Sequence, residues 1–316
     1  MRKFIAKLIL YACLTMTGLY GIIAVIQKIP PQFTDTYDAA AIDKYHLLMN
    51  TDSPKIILIA GSNFAFGLDS EKISQEFGMP VVNLGLHAGI KPHFNFEMAK
   101  KNIQAGDVSV IGLEYGEYYS REIDIPTVLT TVENYKQLWE FVSFTDYPRI
   151  FQGYISNYGI TKIDRYLHGA EPSQGVYSRA AFNEYGDIEY DRPENQRKES
   201  EIRPEVELNA DEISEGVIRE MNQFHEYARR QGAQVYLTYP SLDRLAVLSD
   251  EEERLEFDAA LKEQIEFPVI SNMDTYIMDT KYFYNSDYHL NDKGREIRTE
   301  NLIKDLQKVM KQTKNS

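Results

Sequence analysis

Cysteine is nearly missing from this chain: Cys13 is the only one. A single thiol excludes any intrachain disulfide and any cysteine-based zinc site. Basic charge is also short. The 34 Lys and Arg face 48 Asp and Glu, giving a formal net charge of −14. A nucleic-acid backbone needs a basic face, so nucleic acid is not an expected partner. After Pro31 no further apolar run is long enough to cross a bilayer. No fixed-period repeat is visible, which argues against a solenoid. No glycine-rich phosphate cradle follows the first apolar run, which argues against a flavodoxin-like nucleotide or flavin binder. No cofactor is expected.

What is present starts at the N-terminus. Residues 8–27 carry no charged side chain, and Arg2, Lys3 and Lys7 precede them. As a helix this run spans roughly 30 Å, the hydrocarbon thickness of a bilayer. The positive-inside bias puts the N-terminus in the cytoplasm and the rest of the chain outside. A cleaved signal peptide has an apolar region of about 7–15 residues and a small-x-small cleavage site. Ile29-Pro30-Pro31-Gln32-Phe33 offers no such site. A lipoprotein signal at Leu10-Tyr11-Ala12-Cys13 is disfavoured by its tyrosine and by the short apolar stretch before it. The expectation is a single-pass anchor over 1–28, a linker and lead-in over 29–54, and one extracytoplasmic domain over 55–316. Cys13 lies in the anchor, so the outer domain carries no thiol, which suits an oxidising compartment.

Apolar runs at 55–60, 79–84, 108–113, 233–238 and 268–271 read as strands. Helical spacing fills 68–77, with Asp69 as N-cap, then 92–104, 210–231, 250–265 and 291–311. A stretch at 118–207 interrupts the alternation. It opens with a helical piece at 132–142, and its charged part at 183–207 reads as an exposed excursion. Strands alternating with helices imply a parallel sheet covered on both faces, whose functional groups gather beyond the carboxyl ends of the strands. Ser62, Gly85, Glu114, Tyr239, Asp287 and His289 all follow predicted strands.

Two short motifs carry the chemistry. Gly61-Ser62-Asn63 ends the first strand, and Asp287-Tyr288-His289 precedes the last helix. A serine hydroxyl becomes a useful nucleophile when a histidine takes its proton and a third group orients the ring. Each motif also has an ordinary reading. Gly-Ser is common in strand-to-helix turns, and His289 could pack beside a helix capped by Asn291 or Asp292. Gly85 N–H is a candidate oxyanion donor, or simply a strand end. His87, His93 and Glu97 match no strong metal-ligand pattern, so no metal is expected. The 22 tyrosines suit either a wet sugar-binding groove or an ordinary core.

Together these pieces resemble the SGNH (GDSL-type) hydrolase superfamily, over roughly residues 55–312 without the central interruption. The nearest likeness is to membrane-anchored proteins of bacterial envelope pathways, such as alginate O-acetylation and D-alanine transfer in teichoic acid modification. The resemblance implies a three-layer α/β/α fold with a five-stranded, flavodoxin-like sheet and a bacterial cytoplasmic-membrane location. It implies Ser62 as nucleophile, His289 as base and Asp287 as its orienting group, with Ser62 and Gly85 amides as the oxyanion hole. Asn63, Glu114, Tyr115 and Tyr288 would face the substrate. The chain departs from the usual pattern at three places. The first block reads Gly-Ser-Asn; the third block, Gly112-Leu113-Glu114-Tyr115, lacks the usual asparagine; and the last block reads Asp-x-His, with Ser286 at the common aspartate position. The implied function is a serine acyltransferase or esterase acting on O-acyl groups of a cell-envelope polysaccharide, with a membrane-bound acyltransferase as possible partner. The alternative is a catalytically degenerate glycan-binding or scaffold protein.

Overall fold

Short apolar runs that stop at a polar residue or glycine become the strands of a parallel sheet. In the computed structural model, which describes residues 1–313, the strands are β1 (Ile56–Ala60), β2 (Val81–Asn83), β3 (Val108–Gly112) and β4 (Gln234–Leu237). Their order is β2-β1-β3-β4, and every pairing is parallel. The strand expected at 268–271 contracts to one parallel bridge, Val269 beside Leu237. A two-stranded parallel pair, β5 (Leu242–Asp243) with β6 (Ile277–Met278), lies apart from the main sheet.

Side chains alternate across a strand, and β1 uses both of its faces. Ile57 and Ile59 join one core with Val82, Ile111 and Leu237. Ile56, Leu58 and Ala60 join a second with Val110, Leu302 and Leu306. A strand buried on both sides must be apolar throughout, which is why the sequence shows a run and not an alternation.

The helices in chain order are α1 (Arg2–Lys28), α2 (Ala41–Asn50), α3 (Ser62–Gly67), α4 (Ser70–Phe77), α5 (Lys91–Ala99), α6 (Ile125–Val132), α7 (Tyr147–Gly153), α8 (Gly159–His168), α9 (Glu215–Arg230), α10 (Glu251–Gln264), α11 (Met273–Tyr276) and α12 (Asp292–Thr313). Their ends follow local chemistry. Asp69 accepts the Lys72 N–H at 2.9 Å to start α4, and Gly78 closes it in the left-handed region. The α9 residues Val217, Met221, Phe224 and Ala228 recur at helical spacing and are buried. Helix α1 is long and apolar enough to cross a membrane, with a mean hydropathy of 2.0. Toward its carboxyl end it meets the rest of the chain: Ile23 packs against the core, and Ile26 is buried and lies against Gly159 of α8.

Three expectations change in whole or in part. The lead-in at 29–54 is core and not linker beyond residue 36. Ala39, Ala40, Ala41 and Leu48 are fully buried, and the Lys44 ammonium donates to Asn83 C=O at 2.9 Å and Gly186 C=O at 2.5 Å. The charged stretch at 183–207 is exposed over most of its length, as expected, but it is anchored by buried residues. Asp187, Ile188 and Arg192 have no exposed surface, because their polar groups find partners inside. The Asp187 carboxylate accepts from the Ser70 amide and hydroxyl, and Arg192 donates to Phe66 C=O at 2.9 Å. The helical piece near 132–142 divides into α6, which ends at Val132, and a 3₁₀ segment over Lys136–Phe141.

At the amino end of β1 a fully buried ion pair fixes the sheet. The Lys55 ammonium meets Asp107 at 2.9 Å, and the same carboxylate accepts the Lys55 and Gln104 amides. Removing one partner of a buried pair strands the other charge, at a cost of about 3–5 kcal/mol. Asp107→Ala is therefore expected to lower the unfolding free energy by that amount. Chemical denaturation of the full chain in detergent measures it, and a loss below about 1 kcal/mol contradicts the assignment.

Candidate active site

The four main strands deliver their loop residues in the same way. Ser62, Gly85, Glu114 and Tyr239 each stand two residues beyond a strand's last residue. The register pairs Ala60 with Gly112, so Ser62 and Glu114 leave the sheet side by side. Ser62 Oγ lies 3.1 Å from Glu114 Oε1 and 2.8 Å from His289 Nε2. Residues 62 and 289, which the sequence places far apart, are in direct contact.

His289 sits at the end of a turn. Phe283 and Leu290 form an antiparallel bridge, and Tyr284 N–H donates to His289 C=O at 2.8 Å. The ring stacks on Phe66 with centroids 3.9 Å apart and planes 3° from parallel. Its Nδ1 faces Asn285 Oδ1 at 2.9 Å, and Asn285 Nδ2 donates to the Tyr177 hydroxyl at 2.9 Å. The orienting group is thus Asn285. Asp287, expected in that role, is turned away: its carboxylate pairs with Arg197, which also holds Asp243 at 2.9 Å. The turn puts residue 285 on the ring side and sends 287 toward the Arg197 guanidinium.

Gly85 N–H, the expected second oxyanion donor, donates instead to Asn83 Oδ1 at 2.8 Å. The residue is still restricted to glycine, since a Cβ would lie 2.9 Å from both Gly61 O and Ala65 N. The Asn63 side chain is buried. Its Nδ2 donates to Gly112 C=O at 2.8 Å, while its backbone N–H points to Glu114 Oε1 at 3.2 Å. Tyr115 is fully buried between Tyr239 and Phe257, one position too far along the turn to face the cavity. Glu114 and Tyr288 do line it. His87 Nδ1 accepts Gly89 N–H at 2.9 Å, His93 pairs with Glu220 at 3.3 Å, and Glu97 with Lys100 at 2.6 Å. Among the described residues no three His, Cys, Asp or Glu converge as a metal site.

Two adjoining hollows share Ala88, Glu114 and Tyr288. One of about 540 Å³ contains Ser62, His289, Tyr37, Asp38 and Tyr177. The other, of about 470 Å³, runs past Lys91, Glu117, Tyr119 and Asn209. The Tyr37 hydroxyl and Asp38 Oδ1 are buried with no hydrogen-bond partner among the described residues, so polar groups of a bound molecule could satisfy them. Lys91 has φ of +64°, a conformation that costs a non-glycine residue about 1–3 kcal/mol and concentrates at functional sites.

Burial dominates the electrostatics of the site. Burial holds the His289 pKa down to about 3, helped by Arg192, His87 and Arg197. Burial raises Glu114 above the ordinary carboxyl range, against hydrogen bonds with Ser62 and Asn63. Glu117, which accepts Glu114 N–H at 2.8 Å, is pushed up to about 8 by burial and then by Glu114. The Tyr288 hydroxyl is pushed well above its usual value, mainly by burial.

Asn285, Tyr177, Phe66 and Arg197 went unrecognised in the sequence. Asn285 lies four residues before His289, yet no local rule separates it from Ser286 or Asp287 as the ring's partner. Comparison of the chain with family models and with curated protein sequences finds no match.

Orientation by Asn285 has a direct consequence. Asn285→Leu should slow labelling of Ser62 by a serine-directed fluorophosphonate about 10²-fold, whereas Asp287→Asn should stay within about tenfold of wild type. The reverse ranking of measured labelling rates would return the orienting role to Asp287.

Proposed function

We propose that the chain is a membrane-anchored, SGNH-like serine acyltransferase or esterase acting on O-acyl groups of a cell-envelope polysaccharide. The observation that carries this reading is the 2.8 Å contact between Ser62 Oγ and His289 Nε2, inside a hollow at the carboxyl edge of a parallel sheet. The strand order β2-β1-β3-β4 with Val269 at the edge is compatible with a flavodoxin-like sheet. The apolar helix α1, preceded by Arg2, Lys3 and Lys7, supports an anchor with its N-terminus inside and the catalytic domain outside. Tyr37, Asp38, Tyr119 and Tyr177 offer hydroxyls, a carboxylate and ring faces suited to a polyhydroxylated acceptor.

In this reading Ser62 Oγ attacks the carbonyl carbon of an acyl ester, and its proton passes to His289 Nε2. The tetrahedral intermediate collapses, and the leaving alcohol takes that proton, which leaves acyl-Ser62. A sugar hydroxyl or water then attacks the acyl group, gives its proton to Nε2, and releases Ser62, which recovers the proton. Asn285 holds the ring in the tautomer with Nδ1–H, leaving Nε2 free to accept.

A second reading keeps the fold and removes the chemistry. Among the described residues an amide, Asn285, and not a carboxylate is hydrogen-bonded to His289 Nδ1, and Gly85 N–H is already bonded. Both features suit a glycan-binding or scaffold protein that serves a membrane-bound acyltransferase.

Labelling separates the two. Wild type should react with a fluorophosphonate and release acyl groups from an acetylated polysaccharide, and Ser62→Ala should do neither. Equal labelling of Ser62→Ala, or inert wild type that binds the polymer, favours the second reading. The pH profile adds a sign. Because the neutral ring is the base and burial holds its pKa down to about 3, the base stays unprotonated above about that pH. Labelling near pH 5 should stay within about twofold of neutral pH, whereas an ordinary histidine of pKa about 6.5 would be mostly protonated there.

A further inference from the structure

The hydroxyl of Ser62 has one proton and two close neighbours. Nε2 of His289 is 2.8 Å away and Oε1 of Glu114 is 3.1 Å away. Proton positions follow from the surrounding partners. With the Asn285 amide oriented so that Nδ2 donates to the Tyr177 hydroxyl at 2.9 Å, its Oδ1, which can only accept, faces Nδ1 at 2.9 Å. Nδ1 therefore carries the ring's hydrogen. In the neutral ring Nε2 then has only a lone pair, and the Ser62 O–H must donate to it. Ser62 then has no hydrogen left for Glu114, whose Oε1 still accepts the Asn63 N–H at 3.2 Å. An ionised carboxylate has no proton, so two lone-pair oxygens would confront each other across 3.1 Å. A proton on Glu114 resolves the conflict: its O–H donates to Ser62 Oγ, and each oxygen is satisfied.

The groups around Glu114 leave this arrangement open. His87, from the loop after β2, and Lys91, at the start of α5, favour its charged form, as does the hydrogen bond from the Asn63 N–H; burial outweighs them. Glu117 in the same turn opposes a second charge. From the other sides the nearest titratable groups are the hydroxyls of Tyr288 and Tyr37, whose own ionisation Glu114 disfavours.

We infer that Glu114 is a catalytic residue of this site, a neutral carboxylic acid that serves as its oxyanion donor. This rests on the acyl-transfer reading above. When Ser62 Oγ bonds to the acyl carbon, the carbonyl π pair moves to oxygen and the Ser62 proton moves to Nε2. The Glu114 O–H shifts its hydrogen bond from Oγ to that new oxyanion and keeps its proton throughout. On collapse the pair returns to the carbonyl and the O–H returns to Oγ. Glu114 stands where the resemblance leads one to expect an asparagine, and a protonated acid supplies the donor that the asparagine amide would have supplied. Ionisation would remove the donor and set a negative charge against the developing one. Reactivity must then fall as pH rises through the Glu114 pKa.

Three variants of the full chain in detergent test this, with fluorophosphonate labelling and p-nitrophenyl acetate turnover as readouts. Glu114→Gln keeps an N–H donor and should remain within about tenfold of wild type at neutral pH, while Glu114→Ala should lose about 10²–10³-fold. Glu114→Gln should also lose the alkaline decline that wild type shows. A wild-type minus Glu114→Gln infrared difference spectrum at neutral pH should contain the C=O band of a neutral carboxylic acid, with Glu117→Gln as the control for its neighbour. Reactive wild type with Glu114→Gln as slow as Glu114→Ala makes Glu114 a base and overturns the inference alone. Absence of the infrared band also overturns it, whether or not Ser62 reacts. Inert Ser62 in wild type overturns the donor role together with the acyl-transfer reading.

Discussion

One buried amide ties the site to the fold. Asn83, the last residue of β2, has no exposed surface. Its Nδ2 donates to Phe64 C=O at 3.0 Å and to Asp187 at 2.8 Å, and its Oδ1 accepts Gly85 N–H at 2.8 Å. Its backbone N–H donates to Tyr185 C=O, and its C=O accepts the Lys44 ammonium. One residue thereby joins the nucleophile's helix, the loop after β2, the 183–187 turn and α2. In a low-dielectric interior such a network is stiff, because each unmade bond leaves a costly orphan. The consequence reaches the chemistry through Arg192, which bonds Phe66 C=O, and through Phe66, whose ring carries the His289 ring.

The same design explains the charge state of the site. Several cations are buried here with carbonyl or aromatic partners and few carboxylates. Lys44 is held down to about 7 by burial, and Arg192 lies over the Phe66 ring at 5.2 Å. Arg192 and Arg197 both disfavour protonation of His289. A base this weak takes a serine proton reluctantly. Its use as a catalyst would depend on stabilising the negative charge that forms elsewhere, and the side of Ser62 opposite the histidine is where that demand falls.

How much of this was legible follows from the kind of signal each residue leaves. Strands buried on both faces are apolar runs, and β1, β3 and β4 stand out for that reason. Ser62 and Glu114 were found because they follow those runs directly. Tyr115 was misplaced because a one-residue step in a 3₁₀ turn sends a side chain from cavity to core. Asp287 was misplaced for the same reason in the Phe283–Leu290 turn, where long-range pairing with Arg197 decides direction. The exposure of most of 183–207 is legible from its charge, but its anchors are not, because charge in a sequence says nothing of its partners: Asp187 and Arg192 bond backbone groups 117 and 126 residues away.

The hydrogen bonds around Ser62 also impose an order on the site. From Tyr177 through Asn285 and His289 to Ser62, each group's donor and acceptor follow from the orientation of the Asn285 amide. Asn63 N–H closes the other end at Glu114. A chain of this kind has one free variable, the proton on Glu114, and an ionised Glu114 makes it discontinuous at the 3.1 Å contact. A neutral Glu114 makes it continuous without any net charge beside the nucleophile. The protein's net charge of −14 acts in the same direction as burial there, because surrounding negative charge and desolvation both disfavour an ionised carboxylate.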